Sequence, residues 1–462
     1  MSQILKQKRQ VAINPARLCA PIGAIMGAMG VHGAISIVHG SQGCATYPRH
    51  QMARHFREPI EVATTSLTER TTVYGGRENL LEAIKNVYTR CHPSMIVVMS
   101  TCLSETIGDD IPGIILDFEE LNPDVEVPII SVKTPSYVGT HITGLDNFLT
   151  EIVTRLPEKG EANDKLNIIP GWVSPGDIRE IKAMLRKMEV APLFLTDYSD
   201  PLDGGVYLQK PPHPKGGTSV EELIDSANST GVIALQRQVG GKAAETLGKR
   251  FEMPSEILPM PIGVENTDRF LQTVSEMTGK SVSEELEDER ARLLDAIVDA
   301  HMFMTGLKVA VFGDPDNVSG LVRLCAEMGL EPRYALTSFD SEEWGIELLG
   351  VAEEMNMDLE ILVKSDLHEL HEKIKEDPVD ILIGNSKGKF IAEKEGIPLV
   401  RTGFPIEDRF GYQRMAVVGY RGGINLVGEI VNSYLDNGTK GGKDVVSNTL
   451  LESLEAEDAG SR

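Results

Sequence analysis

The feature that most constrains the fold is an alternation, along the whole chain, of short apolar runs with longer amphipathic stretches. The short runs end in Gly, Ser, Asp or Pro, which is typical of buried strands that lead into loops. They are AISIVHG (34–40), MIVVMSTC (95–102), VPIISVKTPS (127–136), LNIIPGWV (166–173), APLFLTDY (191–198), GVIALQR (231–237), LKVAVFGDPD (307–316), LEILVKSD (359–366), VDILIGNS (379–386) and IPLVRTGFP (397–405). Strands that alternate with helices predict βαβ units, so the fold class is α/β.

The runs fall into three series, and a length of 462 residues agrees with about three domains. PEKGEANDK (157–165) and the charged helical stretch 281–306 separate the series. We therefore expect three similar domains, each with a mostly parallel, Rossmann-like sheet flanked by helices. Their predicted bounds are 1–160, 161–300 with a charged helical connector, and 301–436, followed by a polar, acidic and disordered tail at 437–462.

The charge balance excludes some classes of partner. Lys and Arg number 45 against 69 Asp and Glu, a net charge of -24, which disfavours nucleic acid and anionic membranes. No apolar run approaches the roughly 20 residues of a membrane span. The start, MSQILKQKRQVAINP, has no apolar segment of the kind a secretory signal contains, so we expect a cytoplasmic protein.

The cysteines carry the most chemical information. Five of them at irregular spacing, with no CxxC, argue against disulfides, a zinc ribbon or a ferredoxin loop. Cys44 and Cys102 follow predicted strands, and Cys19 lies just before a predicted helix start. Because ligands of α/β sheets bind at the carboxyl ends of strands, these three thiols suit iron and sulfide. Cys91 and Cys325 are expected to be ordinary cysteines.

Other motifs favour structural interpretations. GKS (279–281) has no glycine five positions earlier, so it is not a phosphate-binding loop. FGDPDNVSG (312–320) predicts a strand-to-helix turn in which Asp316 or Asn317 caps the helix. Four histidines in the same half of the chain could bind metal but are not assigned as ligands; they are His39, His50, His55 and His141.

A family resemblance rests on seven motifs: NPARLCAPIGA, HGSQGCATYPRHQMARHFREP, STCLSETIGDD, TPSYVGTHITG, IPGWVSPGD, GNSKGKFIAEKEGIPLVRTGFPIEDR and VGYRGG. Together they resemble the β subunits of the nitrogenase molybdenum-iron protein, over about residues 12–435. The resemblance implies the nitrogenase component 1 fold. It also implies the reduction of dinitrogen to ammonia with hydrogen evolution, driven by a separate ATP-hydrolysing iron protein.

The resemblance also implies a site. Cys19, Cys44 and Cys102 match the three β-subunit cysteines that hold half of an [8Fe-7S] P-cluster, the other half being held by three cysteines of the α subunit. Ser136 matches a serine that binds one iron of the oxidised cluster. The iron-molybdenum cofactor is implied in the α subunit of an α2β2 heterotetramer, so this chain supplies no catalytic residue and relays electrons.

Some further positions match the family pattern and others depart from it. Tyr47 matches a tyrosine of the family, but Pro48 beside it replaces an aromatic residue. Tyr74 replaces a phenylalanine at the place where the resemblance implies that the iron protein docks transiently. Arg57 and Glu58 match a pair near a metal site between β subunits.

Three alternatives within the family stay open. A cofactor-assembly scaffold usually keeps only the HGSQGC cysteine, whereas this chain has all three. Vanadium or iron-only β subunits typically read HGGQGC and ITTCSTE, so HGSQGC and STCLSE favour molybdenum. The carboxyl-terminal motifs disfavour a protochlorophyllide reductase subunit, and a metal-free α/β binding protein would leave the three cysteines unexplained.

Overall fold

Three parallel sheets organise the chain, as seen in a computed structural model that describes residues 2–6, 9, 11–206, 208 and 211–440. The apolar runs form strands because most of their side chains are buried, as in parallel sheets covered on both faces. The predicted α/β class, with three mostly parallel sheets flanked by helices, is confirmed.

The first third of the chain contains a four-stranded sheet in the order β3-β2-β4-β5, and all its pairs are parallel. Its elements, with the amino-terminal strand, are β1 (Gln3–Lys6), α1 (Ala20–Met29), β2 (Ala34–Val38), α2 (Gln42–Phe56), β3 (Val62–Thr64), α3 (Glu69–Tyr74), α4 (Arg77–Cys91), β4 (Met95–Met99), α5 (Cys102–Ile107), α6 (Ile111–Leu121), β5 (Ile129–Val132) and α7 (His141–Arg155). Strands β2 and β4 lie side by side, with Val38 opposite Met99, so the loops after them share one edge.

The second third contains another four-stranded parallel sheet, in the order β7-β6-β8-β9. Its elements are β6 (Lys165–Ile169), α8 (Pro175–Lys187), β7 (Ala191–Phe194), α9 (Val220–Asp225), a 3-10 turn (Ser226–Asn228), β8 (Val232–Ala234), α10 (Gly241–Phe251), β9 (Ser255–Ile257), α11 (Gly263–Thr278) and α12 (Glu284–Met304).

The last third contains a six-stranded parallel sheet, β1-β12-β11-β10-β13-β14. Its elements are β10 (Lys308–Gly313), α13 (Pro315–Glu327), β11 (Glu331–Thr337), α14 (Glu342–Glu354), β12 (Glu360–Val363), α15 (Leu367–Glu376), β13 (Ile381–Gly384), a 3-10 turn (Ser386–Gly388), α16 (Lys389–Glu395), β14 (Leu399–Arg401), a 3-10 turn (Tyr412–Arg414) and α17 (Gly419–Lys440). Helix α17 continues past Asn437, where the tail was predicted to begin, and 441–462 lie outside the described residues.

The predicted domain bounds stay predictions, but one strand departs from them. Strand β1, inside the predicted first domain, pairs in parallel with β12 of the third sheet, Gln3 lying opposite Glu360. Without it β12 would be an unpaired edge, and an unpaired edge strand exposes backbone hydrogen-bonding groups. The third sheet is therefore completed by the start of the chain.

The turn after β10 also differs from the prediction. Asp314 precedes helix α13, and its side chain makes no capping hydrogen bond. The Asp316 carboxylate instead accepts the backbone N–H groups of Arg237 (2.9 Å) and Gln238 (3.2 Å), just after β8. The predicted capping role of Asp316 or Asn317 is wrong, because Asp316 links the third sheet to the second.

This link predicts a pH dependence of stability. Removal from water raises the pKa of Asp316 to about 7. A carboxyl group with a raised pKa stabilises the fold while it is protonated, so its contribution is lost as pH rises from about 4 to about 7. We expect Asp316→Asn to abolish this loss, on the order of 2 to 4 kcal/mol. Urea unfolding of the native protein and Asp316→Asn at pH 5 and pH 8 measures the change in the free energy of unfolding. Asp340→Asn is the control, because the Asp340 carboxylate is exposed. Equal pH dependence in native protein and Asp316→Asn would contradict the assignment.

Candidate metal-cluster site

The three cysteines predicted to act together lie at the starts of three helices. Cys19 is the N-cap of α1, Cys44 is the third residue of α2, and Cys102 is the first residue of α5. The sequence predicted loop positions for Cys44 and Cys102, whereas both lie within first helical turns. A helix amino terminus favours negative charge, so it favours a thiolate over a thiol.

The thiol of Cys19 lies within electrostatic reach of the other two. Burial raises its pKa, a hydrogen bond with the Ser136 side chain opposes that rise, and electrostatic interaction with Cys102 and Cys44 raises it further. All three are free thiols, and Cys19 and Cys44 are half-buried while Cys102 is exposed. The three cysteines thus form a group of thiols of which Cys102 is the most exposed.

Ser136 connects two of these cysteines. Its backbone N–H donates to Cys102 Sγ at 3.2 Å, and its hydroxyl oxygen accepts the Ala20 N–H at 3.0 Å. The same side chain hydrogen-bonds to Cys19. Ser136 therefore lies between Cys19 and Cys102 in the loop after β5, as the motif TPSYVG predicts from its place after a strand.

The contact between α1 and α7 determines where Cys19 lies. A Cβ atom on Gly23 would be 1.8 Å from the His141 carbonyl oxygen, and one on Gly144 would be 1.9 Å from the Ala20 carbonyl oxygen. The two helix backbones therefore touch, which only glycine allows. Sequence reasoning missed these residues, although the four-residue spacing of Gly23 and Gly27 in LCAPIGAIMGAMG was a signal of close helix packing.

Three of the four histidines considered as possible ligands have structural partners. His141 Nδ1 accepts the Leu18 N–H at 3.3 Å, and its Nε2 lies 2.9 Å from Asp314 Oδ1. His55 Nδ1 accepts the Ile406 N–H at 2.9 Å, and burial lowers its pKa to about 3, so the ring is neutral. His39 Nε2 lies 2.9 Å from Asp109, and His50 is exposed.

The remaining cysteines lie elsewhere. Cys91 ends α4, just before β4, so it lies at the sheet edge opposite to that of Cys102. Cys325 is buried on α13, and removal from water raises its pKa to about 12. Both lie near the carboxyl ends of their helices, whereas the three thiols lie at helix starts.

The donor set fits an iron-sulfur cluster better than a single ion. Within the described residues, no three His, Cys, Asp or Glu side chains are arranged to hold one metal ion. Thiolates are the usual ligands of iron-sulfur clusters, and a multinuclear cluster spans a wider set of donors than one ion does. Binding of a cluster by these residues stays a prediction.

Other residues matched by the family motifs lie on α2 and α3. Tyr47 is 40% exposed, and Pro48 lies inside α2. Arg57 ends α2 in a left-handed conformation, and Glu58 accepts the Gly204 N–H at 3.1 Å. Tyr74, 83% exposed, ends α3 beside Val73, which is 76% exposed.

Comparisons with known proteins agree with this fold. A model of the family "Nitrogenase component 1 type Oxidoreductase" matches residues 19–435, so the chain belongs to the nitrogenase component 1 family of oxidoreductases. The chain is 43% identical to the nitrogenase molybdenum-iron protein beta chain of Methanothermobacter marburgensis, over 94% of this chain and 96% of that one. It is 39% identical to the nitrogenase vanadium-iron protein beta chain of Trichormus variabilis, over 93% and 95%.

A solved structure described as "Nitrogenase Cp1 at pH 6.5" superposes with a TM-score of 0.91 at 41% identity, covering 93% of this chain and 94% of that one. The resemblance predicted from the sequence motifs is therefore confirmed. Of the helices in the part of the chain that the structure describes, none has both the length and the apolar character needed to cross a membrane.

Proposed function

We propose that this chain is the electron-relay β subunit of a molybdenum nitrogenase and holds half of an [8Fe-7S] P-cluster through Cys19, Cys44, Cys102 and, in the oxidised state, Ser136. The observation that carries the proposal is that Cys19 lies within electrostatic reach of both Cys44 and Cys102, while Ser136 hydrogen-bonds to Cys19 and Cys102. When bound, the cluster supplies one-electron redox chemistry. The residues of this chain would hold the cluster close to the group that accepts its electron.

The exposure of Cys102 supports the expected partner. Three thiolates would leave the other half of such a cluster without ligands, and an exposed Cys102 is accessible to a second subunit. The α subunit of a cytoplasmic α2β2 heterotetramer would supply three further cysteines and carry the iron-molybdenum cofactor. The ATP-hydrolysing iron protein would dock transiently at the exposed surface around Tyr74.

The alternatives differ in observable features. A cofactor-assembly scaffold is disfavoured because all three cysteines are present and lie together. Relatives include both molybdenum and vanadium β chains, so the preference for molybdenum rests on HGSQGC and STCLSE.

The test is metal analysis after anaerobic purification. Co-expressed with its α subunit, the chain should yield a heterotetramer that contains iron, sulfide and molybdenum. Expressed alone it should be poor in iron, because half of the cluster ligands are missing. A full eight-iron cluster on the isolated chain would contradict the shared site, and vanadium in place of molybdenum would favour the alternative.

Ser136→Ala is expected to leave the reduced cluster assembled and to change only the oxidised state. An alkoxide ligand couples loss of an electron to loss of a proton, so the midpoint potential should fall with pH in the native protein and change less with pH in the variant. Redox titrations at several pH values, followed by electron paramagnetic resonance, measure the slopes.

Ser41→Ala is the matched control, since the Ser41 hydroxyl lies 3.4 Å from Cys44 Sγ and is not expected to bind iron. Identical slopes in native protein and Ser136→Ala would leave Ser136 only its structural role, the hydrogen bond from the Ala20 N–H.

A further inference from the structure

The segment that leads to Cys19 is bound by the third sheet. Ile13 N–H donates to Asp366 Oδ2 at 2.8 Å, and Ala16 N–H donates to Ser338 Oγ at 2.8 Å. The Leu367 N–H donates back to the Asn14 carbonyl at 3.3 Å. Ser338 follows β11 and Asp366 follows β12, so residues 13–16 lie across the carboxyl ends of these strands. In open α/β sheets this edge is the place where ligands bind, and here the chain itself occupies it.

Lys387, after β13, extends this contact toward Cys19. Its ammonium donates to the Pro15 carbonyl oxygen at 2.8 Å and to the Arg17 carbonyl oxygen at 3.1 Å. Two hydrogen bonds from one cation fix both ends of a three-residue stretch, and hydrogen bonds to charged groups are stronger than neutral ones. Cys19 follows Arg17 by two residues, so Lys387 holds the backbone directly before a predicted ligand.

The charge of Lys387 reaches the thiol itself. The ammonium lies within electrostatic reach of the Cys19 sulfur, so its positive charge favours negative charge at that position. Burial in turn lowers the pKa of Lys387, while the nearby Asp314 and Glu407 carboxylates and Cys19 raise it. In a partly buried site such charges are less screened than at the surface, so a cation there stabilises added negative charge.

We propose that Lys387 is a positioning residue for the cluster: it holds the Cys19-bearing segment on the third sheet, and its charge favours the more reduced state of the cluster bound there. The effect of the charge on the cluster rests on the proposed function. The positioning of the Cys19-bearing segment concerns the chain alone and can be tested separately.

Three variants separate charge from hydrogen bonding. Lys387→Met removes both, Lys387→Gln keeps an N–H donor without charge, and Lys387→Arg keeps both. Lys389→Met is the matched control, because it removes one positive charge only two residues away. The Lys389 side chain is exposed, and its ammonium lies 3.5 Å from Glu393.

Redox titration of the purified heterotetramer gives the midpoint potential of the cluster, which measures the effect of the Lys387 charge. It should shift to more negative values in Lys387→Met and Lys387→Gln, and stay native in Lys387→Arg and Lys389→Met. A native potential in Lys387→Gln, or an equal shift in Lys389→Met, would overturn the electrostatic half. Lys387→Gln serves this purpose even if Lys387→Met fails to fold.

Amide hydrogen exchange of the cluster-free chain measures how firmly Lys387 holds the segment before Cys19. Amides of residues 16–20 should exchange faster in Lys387→Met than in Lys387→Arg or Lys389→Met. Unchanged exchange in Lys387→Met would overturn the positioning half. If the heterotetramer carried no cluster at all, the proposed function would fail while the exchange result still decided whether Lys387 holds the segment.

Discussion

Cys102→Ala is expected to remove the cluster from the anaerobically purified heterotetramer. Cys102 is one of only three thiols on this side of the site, and it accepts the Ser136 N–H. Replacement of residues that merely support metal ligands typically costs 10- to 100-fold in affinity, so loss of a ligand should cost more than about 100-fold. The iron content and the spectrum of the P-cluster measure the effect. The same loss is expected for Cys19→Ala and Cys44→Ala.

Cys91→Ala is the matched control for this prediction. Cys91 is an exposed thiol on the same domain, at the opposite edge of the same sheet. Its removal should leave iron content and spectrum unchanged. If Cys102→Ala or Cys44→Ala kept a full complement of iron with a native spectrum, the ligand assignment would be wrong.

Gly23→Ala is expected to destabilise the protein and to disturb the cysteine group. The added methyl would lie 1.8 Å from the His141 carbonyl oxygen, which is backbone and cannot rotate away. Helices α1 and α7 must separate, and overpacking of this kind costs about 3 kcal/mol or more when the obstacle is rigid. Because Cys19 begins α1, the separation also moves it away from Ser136. Denaturant unfolding of the purified protein measures the loss.

Gly428→Ala is the matched control for the helix glycine. Gly428 lies within α17, and an added Cβ there has nothing within 4 Å. Alanine favours a helix over glycine by about 1 kcal/mol, so this variant should be as stable as the native protein or more so. A Gly23→Ala protein with native stability would show that α1 and α7 can relax without the close backbone contact.

The strands that the sequence predicted share one property. Their apolar runs, such as MIVVMSTC and LKVAVFGDPD, are buried on both faces, and this local pattern predicts a strand directly. Four strands that the sequence did not predict lack such a run. β1 (QILK), β3 (VAT) and β9 (SEI) are short, with partly exposed side chains, and β11 begins with Glu331 and Pro332. Their pairing depends on neighbours distant in the chain, so their own residues carry little signal.

For the candidate site, the cysteines and their places beside strand ends and a helix start could be predicted from the sequence, since both are local properties of motifs such as NPARLCAPIGA, HGSQGC and STCLSE. Tertiary structure alone decided that they come together. The parallel order of β2 and β4 puts Cys44 and Cys102 at one edge, and the glycine contact of α1 with α7 brings Cys19 to Ser136. Lys387 stands more than 360 residues from Cys19 in the chain, and only the packing of residues 13–17 on the third sheet brings its charge there. Such contacts depend on how whole sheets and helices pack, which no local pattern of residues encodes.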